Sequence, residues 1–286
     1  MHTPVLLKEV LQYLNPQPNK NFIDGTVGEG GHSLAILNAI APNGKLLGID
    51  FNQRNLDVAK EKFLQNNIPQ ERFILVQGNF KDIKQYIAQN NFYNIAGVLL
   101  DLGLCSYFID ESEMGFSFKK NERLDMRFDT NSPLTAYDIV NTFKEQDIAD
   151  IIYKYGEERF SRKIAKSIVE ARKVKNIETS QELADIIKHN KSSARVFQAL
   201  RIYVNKELDN LQTAIPDILD ILDKNGRLVI ISFHSLEDRI VKNLFKQYSL
   251  SSRFRLLTKK PIIPSKEEIH TNVRSHSAKM RAIEKI

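Results

Sequence analysis

The chain has 286 residues, 42% apolar and 27% charged, proportions that exclude collagen-like, low-complexity and wholly disordered chains. Its single cysteine, Cys105, excludes an internal disulfide and a cysteine-built zinc site and points to a reducing compartment. Val5-Leu6-Leu7 is cut short by Lys8 and Glu9, so no signal peptide is read there. No apolar run approaches the ~18 residues of a spanning helix, and a soluble, cytoplasmic protein without membrane contact is expected.

Thr3-Pro4 is a helix-start signal, and Leu6, Leu7, Val10, Leu11 and Leu14 follow at helical spacing, which predicts an amphipathic first helix. After the Pro16/Pro18 turn, Phe22-Ile23-Asp24 reads as a short buried strand and Ser33 to Ile40 as a helix. Lys45 to Asp50 follows as a strand, Asn52 to Asn66 as a helix, Arg72 to Gln77 as a strand, Lys81 to Gln89 as a helix and Ile95 to Asp101 as a strand. Alternation at these lengths predicts an α/β fold, a parallel sheet with helices on both faces and right-handed connections.

From Asp110 to Ala199 the pattern turns helical, with segments Leu134 to Phe143, Glu145 to Tyr155, Ser161 to Arg172 and Ser180 to His189. An inserted helical subdomain over 110–199 is expected, splitting the main domain into 1–109 and 200–286. Asn205 and Glu207 are expected to tie its exit helix to the core. Strand character returns at Arg227 to Phe233 after a Lys224-Asn225-Gly226 turn. A helix from Leu236 to Tyr248, a short strand Phe254 to Thr258 and a last segment Lys279 to Ile286 close the chain.

Charge is concentrated at that end. The chain carries 41 Lys/Arg against 35 Asp/Glu, and from Arg253 onward nine basic residues face three acidic ones, which leaves 32 against 32 upstream. A basic tail suits a polyanion, RNA above all, or is simply a solvated terminus.

Ligands of open parallel sheets bind beyond the carboxyl ends of the strands, where the strand order reverses. Three predicted strands end in acids there: Asp24, Asp50 and Asp101. Asp24 opens into Gly25-Thr-Val-Gly28-Glu-Gly30-Gly31-His32, a loop whose glycines let backbone approach a ligand. Asp50 is placed to accept hydrogen bonds from a ribose diol, or to cap the helix that follows. The Gly28-x-Gly30-Gly31 spacing lacks the G-x-G-x-x-G that seats a pyrophosphate, which disfavours a nicotinamide dehydrogenase and leaves a methyl donor. Phe80, after Gly78-Asn79, flanks an adenine or is plain core.

These residues resemble a known family, the ribosomal RNA small-subunit methyltransferase H family (MraW). The matching blocks are His2 to Val10, Asp24 to Ser33, Asp101-Leu-Gly103, Gly115-Phe-Ser-Phe118, Leu124-Asp-Met-Arg127, Gly156-Glu-Glu-Arg159, Phe197 to Ile202, Val204 to Leu208 and Ile231 to Arg239. The resemblance implies a class I (Rossmann-like) S-adenosylmethionine-dependent methyltransferase sheet with an inserted helical, substrate-recognition subdomain. It implies S-adenosylmethionine contacts at Gly30, Gly31, His32, Asp50, Phe80 and Asp101, and N4 methylation of a cytidine in the decoding centre of 16S rRNA, within the small ribosomal subunit. The chain departs from the family at Gly103-Leu-Cys-Ser106 and Phe108, where Gly-Val-Ser-Ser and a Gln are usual. It departs again at Glu122-Arg123, at His189 to Arg195 and at Asn272 to His276.

A cytosine amine is a poor nucleophile because its lone pair is delocalised, so positioning carries much of the rate. Asp101 is the candidate catalytic residue: it, or a backbone carbonyl beside it, accepts a hydrogen bond from that amine, or Asp101 only holds the cofactor. Ser232-Phe-His-Ser-Leu-Glu-Asp238 has triad-like composition but lacks a nucleophile elbow. Ser235 as a helix cap with Asp238 at its third position, and His234 facing the substrate mouth, are expected instead. The six histidines are scattered without metal spacing, and no metal is expected. Arg127, Arg274, Lys279 and Arg281 are the candidate RNA-phosphate contacts. Arg127 has the alternative of a structural pair with Asp125. Arg159, Arg162, Lys163 and Lys166 line a basic face or a merely solvated one. A non-catalytic RNA-binding or assembly factor, or a methyltransferase on another nucleic acid, is the alternative reading.

Overall fold

The computed structural model describes residues 4–103 and 112–286; the expectations attached to His2, Thr3, Cys105, Ser106 and Phe108 lie outside the described residues. The chain divides into two compact units, Met1–Gly103 with Leu208–Ile286, and Leu104–Glu207. Among the described residues no helix is long and apolar enough to cross a membrane.

The first unit begins with α1 (Leu7–Leu14), β1 (Asn21–Asp24), α2 (Gly31–Ala39), β2 (Leu46–Asp50), α3 (Gln53–Gln65), β3 (Phe73–Gln77), α4 (Ile83–Gln89) and β4 (Ile95–Asp101). The second unit follows with α5 (Ala136–Thr142), α6 (Glu145–Gly156), α7 (Ser161–Arg172), α8 (Ser180–Ile187) and α9 (Asn190–Asn205). The chain returns through α10 (Glu207–Ile221) to β5 (Leu222–Ser232), α11 (Ser235–Ser249), β6 (Phe254–Leu256), α12 (Lys266–Thr271) and β7 (Lys279–Lys285). The strand order is β3-β2-β1-β4-β5-β7-β6, parallel from β3 to β5, with β7 antiparallel to both of its neighbours. The order reverses between β1 and β4.

Period-two alternation builds both faces of this sheet. Phe22, Leu46, Leu99, Val229 and Ile231 pack in one cluster with Val10 of α1, Ile36 of α2 and Phe63 of α3. Their chain neighbours Ile23, Leu47, Val98, Leu100, Leu228 and Ile230 pack in the other, with Ile87 of α4, Ile215 of α10 and Phe245 of α11. Phe22 is 1% exposed, and truncation of such a side chain to Ala costs about 3–5 kcal/mol. The helical unit has its own core, in which Leu124 and Met126 meet Ile139, Ile152, Ile168, Leu183 and Leu200.

Several boundaries differ from the sequence expectation for local reasons. α2 starts at Gly31 rather than Ser33, because Gly30 takes φ +76° as its N-cap and accepts from the Leu34 N–H. The helix expected from Lys81 opens with a 3₁₀ turn, Phe80–Asp82, set by the Asn79 side chain accepting from Lys81 N–H. β5 begins five residues before Arg227 by pairing Leu222 with Ile95; register is lost until Gly97 meets Arg227, with Asn225 at φ +63° between. The expected return at 199/200 falls inside α9, so helix runs on to Asn205 before α10 begins. α11 is capped by His234, whose Nδ1 accepts from Glu237 N–H, and Glu237 accepts in return from the His234 N–H. The cap therefore sits one residue ahead of the Ser235/Asp238 pairing expected from sequence, and His234 serves the helix end.

Candidate active site

At the switch point β1 and β4 lie in register, with Asp24 opposite Leu99, so Asp101 extends beyond the β1 terminus. Asp24 is fully buried. It accepts from Ser33 Oγ at 2.6 Å and from Thr26 N–H at 3.1 Å. Burial holds its carboxyl above the ordinary carboxylate range, against the opposing pull of the Ser33 hydroxyl. Asp24 thus ties the end of β1 to the first turn of α2 and frames the loop between them.

That loop is shaped by glycine at two positions. Gly28 has φ +51° and Gly30 φ +76°, conformations that L side chains resist. A Cβ on Gly30 would lie 2.9 Å from the Ala59 Cβ and from Phe63 of α3. The loop backbone is pressed against α3. The Gly28 N–H donates to Asp50 Oδ2 at 2.7 Å. Asp50 Oδ1 also accepts from Asn52 N–H at 2.9 Å and Asn55 Nδ2 at 3.1 Å. The cap of α3 is Asn52, accepting from Arg54 N–H, so Asp50 is not the helix cap. A carboxylate offers about four lone-pair positions; Oδ2 retains one for a further donor. Burial is the main cause that raises the Asp50 carboxyl above its ordinary range.

Beside the loop, His32 Nε2 lies 3.4 Å from Asp101 Oδ2. His32 is 6% exposed, and its Nδ1 and Nε2 and Asp101 Oδ1 are buried without a hydrogen-bond partner. Buried polar atoms are nearly always satisfied, so three orphans in one place single this position out as the candidate site. The position of Asp101 is fixed from below: its N–H donates to Thr26 Oγ1 at 2.6 Å. Phe80, half-buried, packs on the core cluster of Ile23 and Leu100. Its Cβ lies 3.1 Å from where a Cβ on Gly25 would stand, and Leu100 closer still, which explains glycine there. Gly30, Gly31, His32, Asp50, Phe80 and Asp101 all belong to the sheet unit and gather at its switch point. The glycine cradle, the free valence on Asp50 and the orphaned atoms of His32 and Asp101 fit a nucleoside bearing a polar amino-acid tail.

The four basic candidates divide. Arg127 donates from Nε and Nη2 to Asp125 at 2.7 and 2.8 Å, and from Nη1 to the carbonyls of Thr130 and Ser132 at 2.7 and 2.6 Å. Its guanidinium is spent inside the helical unit. Arg281 is on β7, 7% exposed, with Nε donating to Asp238 Oδ1 at 2.6 Å. It anchors β7 to α11, an arrangement that the shifted cap of α11 leaves open by freeing Asp238. Arg274 is exposed, and Lys279 is partly exposed with Nζ 3.8 Å from Asp238.

Sequence reading passed over Thr26 and the pairing of Asp24 with Ser33, although all three lie in the glycine block. The signal available was the Asp-x-Thr spacing, an Asx-type turn in which a side chain can reach its own backbone two residues on.

The sequence profile of the MraW methylase family matches residues 1–286. A Mycoplasma mycoides subsp. mycoides relative, named ribosomal RNA small subunit methyltransferase H, is 43% identical over 310 residues, covering 99% of each chain. The protein of that name from a Sulfurihydrogenibium species is 47% identical, covering 98% of this chain and 97% of its own. Among solved structures, a Streptococcus mutans protein assigned as a methyltransferase, in complex with SAH, is similar at a TM-score of 0.50 and 14% identity over the whole of both chains. That likeness concerns the fold alone, a Rossmann-like sheet in keeping with the strand order. The profile match along the entire chain, with relatives above 40% identity, places the chain in the MraW methylase family.

Proposed function

We propose that the chain methylates the N4 amine of a cytidine in the decoding centre of 16S rRNA, with S-adenosylmethionine as donor. The observation that carries this reading is the trio of buried, unpartnered polar atoms on His32 and Asp101 at the switch point. The names of the relatives supply the ribosomal RNA, and the resemblance supplies the base and the atom.

In this reading, S-adenosylmethionine when bound supplies an electrophilic methyl carbon. The Gly28–Gly31 backbone and His32 hold its polar tail, Asp50 Oδ2 accepts from a ribose hydroxyl, and Phe80 flanks the adenine. Asp101 accepts a hydrogen bond from the cytosine amine and holds its lone pair outward, the orientation on which the rate depends. The same carboxylate, with His32 beside it, receives the proton that the amine sheds. The helical unit serves substrate recognition, and Arg274 and Lys279 contact RNA phosphates. The enzyme works on the small ribosomal subunit, in the cytoplasm.

Incubation with labelled S-adenosylmethionine and small subunits from cells lacking this enzyme tests the proposal. Label on a decoding-centre cytosine amine, mapped by nuclease digestion and mass spectrometry, is the expected result. Label on another base, or none despite SAH binding, overturns the assignment of substrate; failure to bind SAH overturns the methyltransferase reading.

A further inference from the structure

The helical unit carries an exposed aromatic pair set among cations. Tyr153, on the last turn of α6, is 65% exposed, and Phe160, the N-cap residue of α7, is 66% exposed. Large aromatic rings left this open forgo the burial that normally places them. Phe160 also occupies a position where Ser, Thr, Asp or Asn would cap the helix, and its side chain makes no cap bond. Helices α5, α8 and α9 have side-chain caps, from Thr135, Thr179 and His189, whereas α6 starts after Lys144 without one. An aromatic ring at this position adds nothing to the helix end.

The corner that presents the two rings is rigid. The Glu158 carboxylate, 1% exposed, accepts from Phe160 N–H at 2.9 Å and from Arg195 Nη1 at 3.3 Å. Gly156 is pressed on α9, where a Cβ would meet the Arg195 carbonyl at 2.5 Å. Glu157 turns the chain at φ +49°. The backbone below the rings is therefore held while the rings face outward, which lowers the ordering cost of binding.

From Tyr153 onward the charge has one dominant sign, with exposed Asp150 one turn before it on α6. Tyr153 to Lys166 includes five basic residues against two acidic ones, of which Glu158 is buried. Arg162, Lys163 and Lys166 are exposed at spacings of one, three and four along α7, which puts them on its outer side, and exposed Arg159 immediately precedes its cap. Elsewhere in the unit Arg127 and Arg172 are spent on carboxylates or carbonyls. Open ring faces beside a cationic stripe suit bases that are unstacked and phosphates that follow them, the chemistry of a single strand rather than a duplex.

We infer that Tyr153 and Phe160, with Arg159, Arg162 and Lys163, form a stacking platform for single-stranded RNA on the helical unit. The inference rests on the RNA-substrate reading above and specifies which surface and which form of RNA. The test is fluorescence anisotropy of the full chain with a short labelled oligouridylate, over a range of salt. Phe160→Ala and Tyr153→Ala each weaken binding by about tenfold, as loss of one base stack predicts, while Phe160→Trp and Tyr153→Phe restore it. Arg162→Gln with Lys163→Gln lowers the salt slope by about 1.4, at ~0.7 per phosphate contact on a single strand. Melting temperature and SAH affinity report on folding in each variant.

Unchanged affinity in the alanine variants overturns the inference, and so does equal affinity for an RNA duplex of the same length. Polyglutamate competing as well as oligouridylate would assign the surface to an acidic protein and overturn it as well. Aromatic-dependent oligouridylate binding by a chain that transfers no methyl group would leave the platform standing and remove the methylation reading. Methyl transfer to small subunits with aromatic-independent binding would do the reverse.

Discussion

Each unit of this protein sets a carboxylate against a basic side chain, and the two pairs are built to opposite ends. In the helical unit all three guanidinium nitrogens of Arg127 donate, to Asp125 and to the carbonyls of Thr130 and Ser132. In the sheet unit His32 and Asp101 approach to 3.4 Å yet leave three buried polar atoms without partners. The saturated pair shapes a chain segment. The unsaturated pair forgoes hydrogen bonds that folding could have made, a cost that natural structures tolerate where a ligand completes the set. What separates the two pairs is what each leaves unbonded.

Substitution at each pair breaks the comparison most directly. Asp101→Ala lowers methyl transfer at least a thousandfold while the melting temperature stays near that of the parent, because the group removed makes no side-chain bond that the fold needs. Near-normal turnover in single-turnover assays would show that Asp101 does not handle the amine. Arg127→Ala gives the opposite result, a loss of about 3–5 kcal/mol in urea unfolding, since Asp125 is left buried and unpaired. A loss under 1 kcal/mol would show that the pair is a surface ornament. Gly30→Ala sits between these effects: a strained φ and contact with Ala59 and Phe63 cost about 1–3 kcal/mol, and SAH affinity falls with the loop.

The two units also differ in the sign of their response to pH. Burial is the largest influence on Asp125, but the Arg127 guanidinium overcomes it and holds the carboxyl below its ordinary value. Its contribution to stability is present above the unfolded value of about 3.9 and is lost as pH falls through the lower folded value. Asp24 has a raised carboxyl because of burial; its contribution is present below about 3.9 and is lost as pH rises through the higher folded value. Asp125→Asn therefore converges on the parent as pH falls below about 4, whereas Asp24→Asn gains on the parent as pH rises above it. Urea titrations from pH 3 to 8 read both slopes, and parallel slopes would contradict the assignment. The smallest effect is on RNA affinity: Arg274→Ala and Lys279→Ala each reduce the salt slope by about 0.7, while Arg127→Gln leaves it unchanged in chain that remains folded.

The alternation of apolar segments, and the acids that end three of them, were legible because a strand's period and a strand's end are local properties. Phe22 and Ile23 announce two buried faces, and Asp24, Asp50 and Asp101 mark one edge of the sheet before any contact is known. The glycine loop was legible too, as positive φ at Gly28 and Gly30 is a demand of the backbone itself. Arg281 was not: a basic residue in a basic tail looks solvated until β7 pairs antiparallel with β5 and brings it to Asp238. The cap of α11 also escaped, because Ser235 and His234 compete for the same role and only the reach of Glu237 decides between them.

The amino-acid sequence by itself determined the α/β alternation, the helical interruption, the glycine loop and the row of acids at the strand ends. Tertiary structure alone decided which distant polar groups satisfy one another: that Thr26 holds Asp101, that Asp238 consumes Arg281, and that His32 remains unpartnered. The physical reason is range. Propensity, periodicity and turn chemistry act within a few residues, whereas the pairing of a buried donor with its acceptor joins positions 43 or 75 apart in the chain, and exists only once the sheet has closed.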